Sequence, residues 1–94
     1  MTDNNTLVTE AILRAEELES RGLQSIALAV WAQVSSIEEE LAKSYPVSDV
    51  RGQIARRGAV TAALKAGNYS RAYALADSYL TADGVPDSLR SQLG

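Results

Sequence analysis

Apolar residues recur at alternating spacings of three and four along most of the chain, the period of a helix with one buried stripe. Val8, Ala11, Ala15 and Leu18, with Ile12 beside them, predict a first helix over about 7–21, with Thr6 as its N-cap and Gly22 just past its end. Leu23, Ala27, Val30, Val34, Ile37 and Leu41 carry the cleanest stripe and predict a second helix from 23 or 24 to 43. Ile26 and Trp31 widen that stripe, so burial on more than one side is expected. A single Gly22 between two long helices predicts a tight antiparallel hairpin. Pro46 disfavours helical geometry at Tyr45 and ends the second helix. Ser48 is the expected N-cap of a third helix reaching about residue 66, with Val50, Ile54, Thr61 and Leu64 toward the core. Gly52 and Gly58 inside that helix each cost about 1 kcal/mol relative to Ala. Either a neighbouring backbone packs closely there or the helix breaks near Gly58. Gly67 ends the third helix, and Asn68 or Ser70 caps a fourth that runs to about 82. Its stripe is Tyr69, Ala72, Ala76 and Tyr79, and Gly84 and Pro86 stop it. Residues 86–93 either form a short terminal helix with Leu89 and Leu93 docked or fray, and residues 1–5 are expected to be flexible.

No stretch alternates with the period of a strand. The predicted fold class is all-α: two antiparallel helical hairpins, four helices plus a short C-terminal helix, in a single helical domain over 1–94. The hairpins either stack as repeats or close as a four-helix bundle. The two hairpins echo one another. Gly22 set on Gly67, 45 residues apart, places Ala27 over Ala72, Leu28 over Tyr73 and Val34 over Tyr79. A helical hairpin recurring at a period of 20 to 50 residues is the signature of a solenoid.

The second hairpin, chiefly residues 67–79, resembles a tetratricopeptide repeat. Gly67, Asn68 and Tyr69 match that family's turn, and Ala72 matches the small residue three positions after the Tyr. Leu75, Ala76, Tyr79 and Asp83 fall near its later positions. The resemblance implies a Tyr packed under the turn, an alanine that lets two backbones approach, and a surface that binds peptides or helices. It also implies an adaptor or small chaperone.

With 94 residues and no Phe, the chain supports one modest core with closely spaced helices. There is no Cys and no His, which removes disulfides, thiolate metal sites, the usual general base and the common catalytic triads. No cofactor, metal or catalytic residue is expected, and the chain is read as non-enzymatic. No apolar run approaches membrane-spanning length, and the polar start is not a signal peptide, so a cytoplasmic, non-membrane protein is expected. The net charge of -3 is unevenly spread. Residues 1–45 hold Asp3, Glu10, Glu16, Glu17, Glu19, Glu38, Glu39 and Glu40 against Arg14, Arg21 and Lys43, while bases exceed acids in the remainder.

The run Glu38–Glu40 is expected to be a solvated face, because adjacent helical side chains point about 100° apart and do not converge on a substrate. Arg51, Arg56, Arg57 and Lys65 on the third helix are the candidate anion-binding and partner-binding cations. Trp31 and Tyr73 are the candidate aromatic anchors, Trp31 more as core than as surface, with Tyr69 and Tyr79 expected to pack. A helix-turn-helix DNA binder is a further alternative, disfavoured because the last helix carries Asp77 and no base after Arg71 and the chain is acidic. The leading expectation is a protein-interaction module that binds a helical or extended segment of another protein and completes its core with that partner or a second copy. The rival is a small inhibitor or immunity-type protein of phage or plasmid kind, acting through Glu16, Glu17, Glu19 and Glu38–Glu40.

Overall fold

In the computed structural model, which describes residues 4–81, the chain forms α1 (Asn4–Ser20), α2 (Gln24–Lys43), α3 (Val50–Lys65) and α4 (Tyr69–Thr81), with no strand among those residues. Each helix packs on the next, and α1 does not reach α4. The result is an open, zigzag row of hairpins rather than a closed ring, spanning 41 × 32 × 16 Å.

The two glycine turns are built alike. Gly22 (φ 76°) and Gly67 (φ 77°) adopt the left-handed conformation that only glycine takes at low cost. After α1, Leu23 N–H donates to the Leu18 carbonyl (2.9 Å) and Gly22 N–H to Glu19 (3.0 Å). After α3, Asn68 N–H donates to Ala63 (2.9 Å) and Gly67 N–H to Leu64 (3.0 Å). Both are Schellman motifs, which satisfy the last carbonyls of a helix. The 45-residue offset expected from sequence therefore superposes turn on turn, and α2 and α4 begin at corresponding positions. Asn68 caps α4, its Oδ1 accepting from Arg71 N–H at 3.2 Å, while Leu23 at the equivalent place makes no side-chain cap.

Ala27 and Ala72, equivalent in that offset, are 1 % and 3 % exposed. Ala27→Leu and Ala72→Leu should each cost roughly 1 to 3 kcal/mol, since both alanines are buried and a larger side chain has to displace its neighbours. Thermal melts check this, and an unchanged midpoint in either variant would contradict the close approach.

The core has two parts. Ala15, Val30, Trp31, Val34 and Ala62 join α1, α2 and α3, with Ala11, Ile12 and Leu18 against them. Ala59, Val60, Ala63, Ala72 and Leu75 join α3 to α4, with Ala76 and Tyr79 alongside. α2 buries two faces, widened by Trp31 but not by Ile26, which is 49 % exposed. Ala27, Val30 and Val34 form one, and Trp31, Ser35, Glu38 and Ala42 the other. The two faces lie roughly a quarter-turn apart on the helix, so α1 and α3 flank α2 with a cleft between them.

Several expectations are corrected. α1 has begun by Asn4, so Thr6 lies inside the helix and residues 4 and 5 belong to it. Asp49, not Ser48, caps α3, accepting from Arg51 N–H at 2.8 Å. The buried face of α3 is inverted relative to the expected one. Val50, Ile54 and Leu64 are 64, 52 and 47 % exposed and Thr61 is exposed, whereas Gly52, Ala55, Arg56, Ala59, Val60, Ala62 and Ala63 are buried. α3 is packed by α2 and α4 together, and two such close neighbours favour small residues, with Arg56 and Val60 the larger exceptions. It also runs unbroken through both glycines. A Cβ on Gly52 would stand 2.9 Å from the Pro46 carbonyl oxygen, and one on Gly58 would land on the Glu38 carboxylate. Tyr69, expected to pack under its turn, is 69 % exposed. The expected terminal helix, with Gly84, Pro86, Leu89 and Leu93, lies outside the described residues, as do Ala82 and Asp83.

Candidate functional site

α1 and α3 both run antiparallel to α2, so their N-terminal ends meet over the end of α2. Between them is a cleft of about 280 Å³ lined by Asn5, Val8 and Thr9 of α1, Glu38, Leu41 and Tyr45 of α2 and its exit, and Arg51, Ile54 and Ala55 of α3. Val8, Leu41, Ile54 and Ala55 give it apolar walls. Arg51 stands at its edge, held through Nε (3.2 Å) and Nη2 (2.8 Å) to Asp49 and stacked 4.4 Å over the Tyr45 ring. The guanidinium beside Asp49, together with the capping bond from Arg51 N–H, lowers the Asp49 carboxyl below its ordinary range.

Glu38 is on the floor. It is 7 % exposed, and its carboxylate rests against the backbone of α3 where Gly58 leaves room for it. Among the described residues it receives no hydrogen bond and no ion pair, and burial alone raises its pKa. A carboxyl whose folded pKa is raised destabilises the fold once ionised. The protein is then most stable below the ordinary glutamate range and loses that margin as pH rises through the raised value. Glu38→Gln should accordingly melt higher than the wild type at pH 7, with the gain shrinking to nothing at about pH 4. Paired melts at the two pH values check this, and a pH-independent difference would count against an ionised, unpaired Glu38.

A second cleft, about 180 Å³, lies between α2 and α4 over α3, lined by Glu39, Ala42, Lys43, Arg56, Leu75, Ser78 and Tyr79. Arg56 is its floor, 8 % exposed, with Nη2 directed at the carbonyls of Tyr45 (3.3 Å) and Ala42 (3.5 Å). It thereby closes the C-terminus of α2, where unsatisfied carbonyls and the helix dipole favour a cation. Its other terminal nitrogen and the Tyr79 hydroxyl are buried without protein partners, and the Arg56 guanidinium sits 5.9 Å from the Tyr79 ring centre. Burial, then the nearby Glu39 charge, raises the Tyr79 phenol. Above this floor Arg71 ties α4 to α2, donating to Ser35 Oγ (3.0 Å) and to Glu39 Oε1 (2.8 Å), while Ser35 donates to the Ala59 carbonyl (2.8 Å).

The residues singled out from sequence do not share a face. Arg51 edges the first cleft, Arg56 is buried under the second, and Arg57 is exposed on a different side of α3. Lys65 lies two turns beyond Gly58 with its Nζ 4.6 Å over the ring of Trp31, which is 4 % exposed and belongs to the core. Tyr73 is 79 % exposed and lines an apolar groove with Val60, Leu64, Tyr69, Ala72 and Ala76. The expected solvated face of Glu38–Glu40 is divided: Glu38 points in, Glu39 is half-buried against Arg71, and Glu40 is exposed with Lys43 at 3.0 Å. Sequence reasoning missed Glu38 as a floor residue. The available signal was its place on the stripe Trp31, Ser35, Glu38, Ala42, opposite a glycine on α3.

Among the described residues no helix is long and apolar enough to cross a membrane, and no group of three or more His, Cys, Asp or Glu could hold a metal ion. No protein-family model, curated protein or solved structure matches the chain.

Proposed function

We propose that the protein is a non-enzymatic interaction module of the tetratricopeptide-like kind, an adaptor or small chaperone that receives a helical or extended segment of another protein in the cleft between α1 and α3. The observation that carries this reading is the cleft itself: apolar on its walls, open between two parallel helices, and floored by a charge with no internal partner. Sites of this shape bind segments through a few apolar anchors and a small number of placed polar groups. The open row supports the same reading, since hairpin arrays use the surface between successive helices for recognition. The inhibitor reading is weakened because Glu38 faces inward and Glu39 is engaged by Arg71, which leaves Glu16, Glu17, Glu19 and Glu40 exposed.

The test is selection of a displayed random peptide library on the immobilised protein, followed by calorimetry with the enriched peptides. Ile54 is 52 % exposed, so Ile54→Asn should leave the melting curve nearly unchanged. Loss of its apolar contact should weaken the selected peptides about tenfold or more. Absence of enrichment, or peptides indifferent to Ile54→Asn, would remove the cleft as the binding surface.

A further inference from the structure

The carboxylate of Glu38 stands on the cleft floor without a counter-charge, and the nearby cations are committed elsewhere. Arg51 is held by Asp49 and stacked on Tyr45. Arg56 is turned toward the second cleft and the end of α2. Glu38 is 7 % exposed as a residue, and a carboxylate with so little access to water is costly unless a cation or several donors meet it. A metal ion is a poor match, because among the described residues no further ligands gather around it. The space above it, about 280 Å³, is several times what a single water occupies, and its walls are Val8, Leu41, Ile54 and Ala55. Apolar walls leading to a single buried negative charge fit one kind of group closely: a side chain with a methylene stem and a cationic tip.

Resting on the reading of this cleft as the partner site, we infer that Glu38 selects the partner segment by one lysine or arginine side chain. The stem of that side chain lies between Val8, Leu41, Ile54 and Ala55, and its tip meets the carboxylate beside Gly58. An ion pair made in so enclosed a place rejects a neutral competitor, because the carboxylate is then buried unpaired. The chain's net charge of -3 favours approach of a basic segment. The titratable groups that face Glu38 are Arg51 on α3, Tyr45 after α2 and, across the helix interface, Tyr79 on α4. Asn5, Val8 and Thr9 of α1 do not titrate. Cation binding should therefore follow the ionisation of Glu38 itself.

The experiment uses isotope-labelled full-length protein titrated with n-butylammonium or n-butylguanidinium chloride at matched ionic strength, with 1-butanol as the neutral control. Shifts are followed at the amides of Thr9, Ala55 and Gly58 and at the Glu38 carboxyl carbon. The cations should saturate these shifts with roughly millimolar affinity, about tenfold tighter than butanol. Glu38→Gln should abolish that preference in a folded protein. The affinity should rise with pH as the Glu38 carboxyl ionises, and saturating cation should move that titration to lower pH. Equal binding of butanol, a preference that survives Glu38→Gln, or pH-independent affinity would overturn the assignment. If the charge preference fails while selected peptides still depend on Ile54, the cleft remains the partner site and only its cation selectivity falls. Indifference of those peptides to Ile54→Asn removes the site itself.

Discussion

Arg56→Glu is expected to lower the melting temperature by roughly 15 to 30 °C, the equivalent of about 3 to 5 kcal/mol in a chain of this size. The guanidinium is 8 % exposed and closes the carbonyls of Ala42 and Tyr45 at the end of α2. Glutamate would leave those carbonyls facing a negative charge at the negative end of a helix dipole. It would also add an acid to a cleft already lined by Glu39. Arg57→Glu, one residue away on an exposed position, should cost far less, about 1 kcal/mol at most, the scale of an exposed charge interaction. The contrast is measured by circular dichroism melts of the two single variants. Equal effects would mean that Arg56 does not act as the cap of α2. The same geometry makes charge reversal at Arg56 a probe of folding rather than of partner binding.

Gly58→Val should be strongly destabilising, at about 3 kcal/mol. A Cβ there falls on the Glu38 carboxylate, so the new side chain has to expel that carboxylate or push α2 and α3 apart. The diagnostic companion is Gly58→Ala in two backgrounds. In the wild type it should destabilise. In Glu38→Ala the obstruction is gone, and the better helix propensity of alanine should stabilise by up to about 1 kcal/mol. Thermal or denaturant unfolding of the four proteins gives the cycle. A stabilising Gly58→Ala in the wild type would place Glu38 away from Gly58 and undo the account of the cleft floor.

The elements themselves were legible because their causes are local. The stripe Ala27, Val30, Val34 has one helical period, Pro46 halts α2 whatever lies nearby, and Gly22 and Gly67 are the residues that take a positive φ at low cost. The correspondence of Ala27 with Ala72 was also readable, since a repeated turn followed by a repeated small residue implies a repeated contact. Capping was half-readable. Asn68 was among the expected caps of α4, but Asp49 won over Ser48 because its carboxylate reaches Arg51 N–H and the Arg51 guanidinium together.

The candidate site was mostly hidden. Hydrophobicity assigned Val50, Ile54 and Leu64 to the core, yet α3 is squeezed between two helices, and the distance between them admits Ala55, Ala59, Ala62 and Ala63 instead. The larger side chains are left outside, where Ile54 becomes a wall of the cleft. Glu38, Glu39 and Glu40 look identical in sequence and have three different surroundings, because neighbours on other helices decide which carboxylate is buried. The sequence alone determined where the helices lie and how their hairpins turn, since propensity, proline and glycine act within a few residues. Only the tertiary structure decided which face of α3 is buried and which charges are enclosed, since burial depends on how closely helices distant in sequence approach.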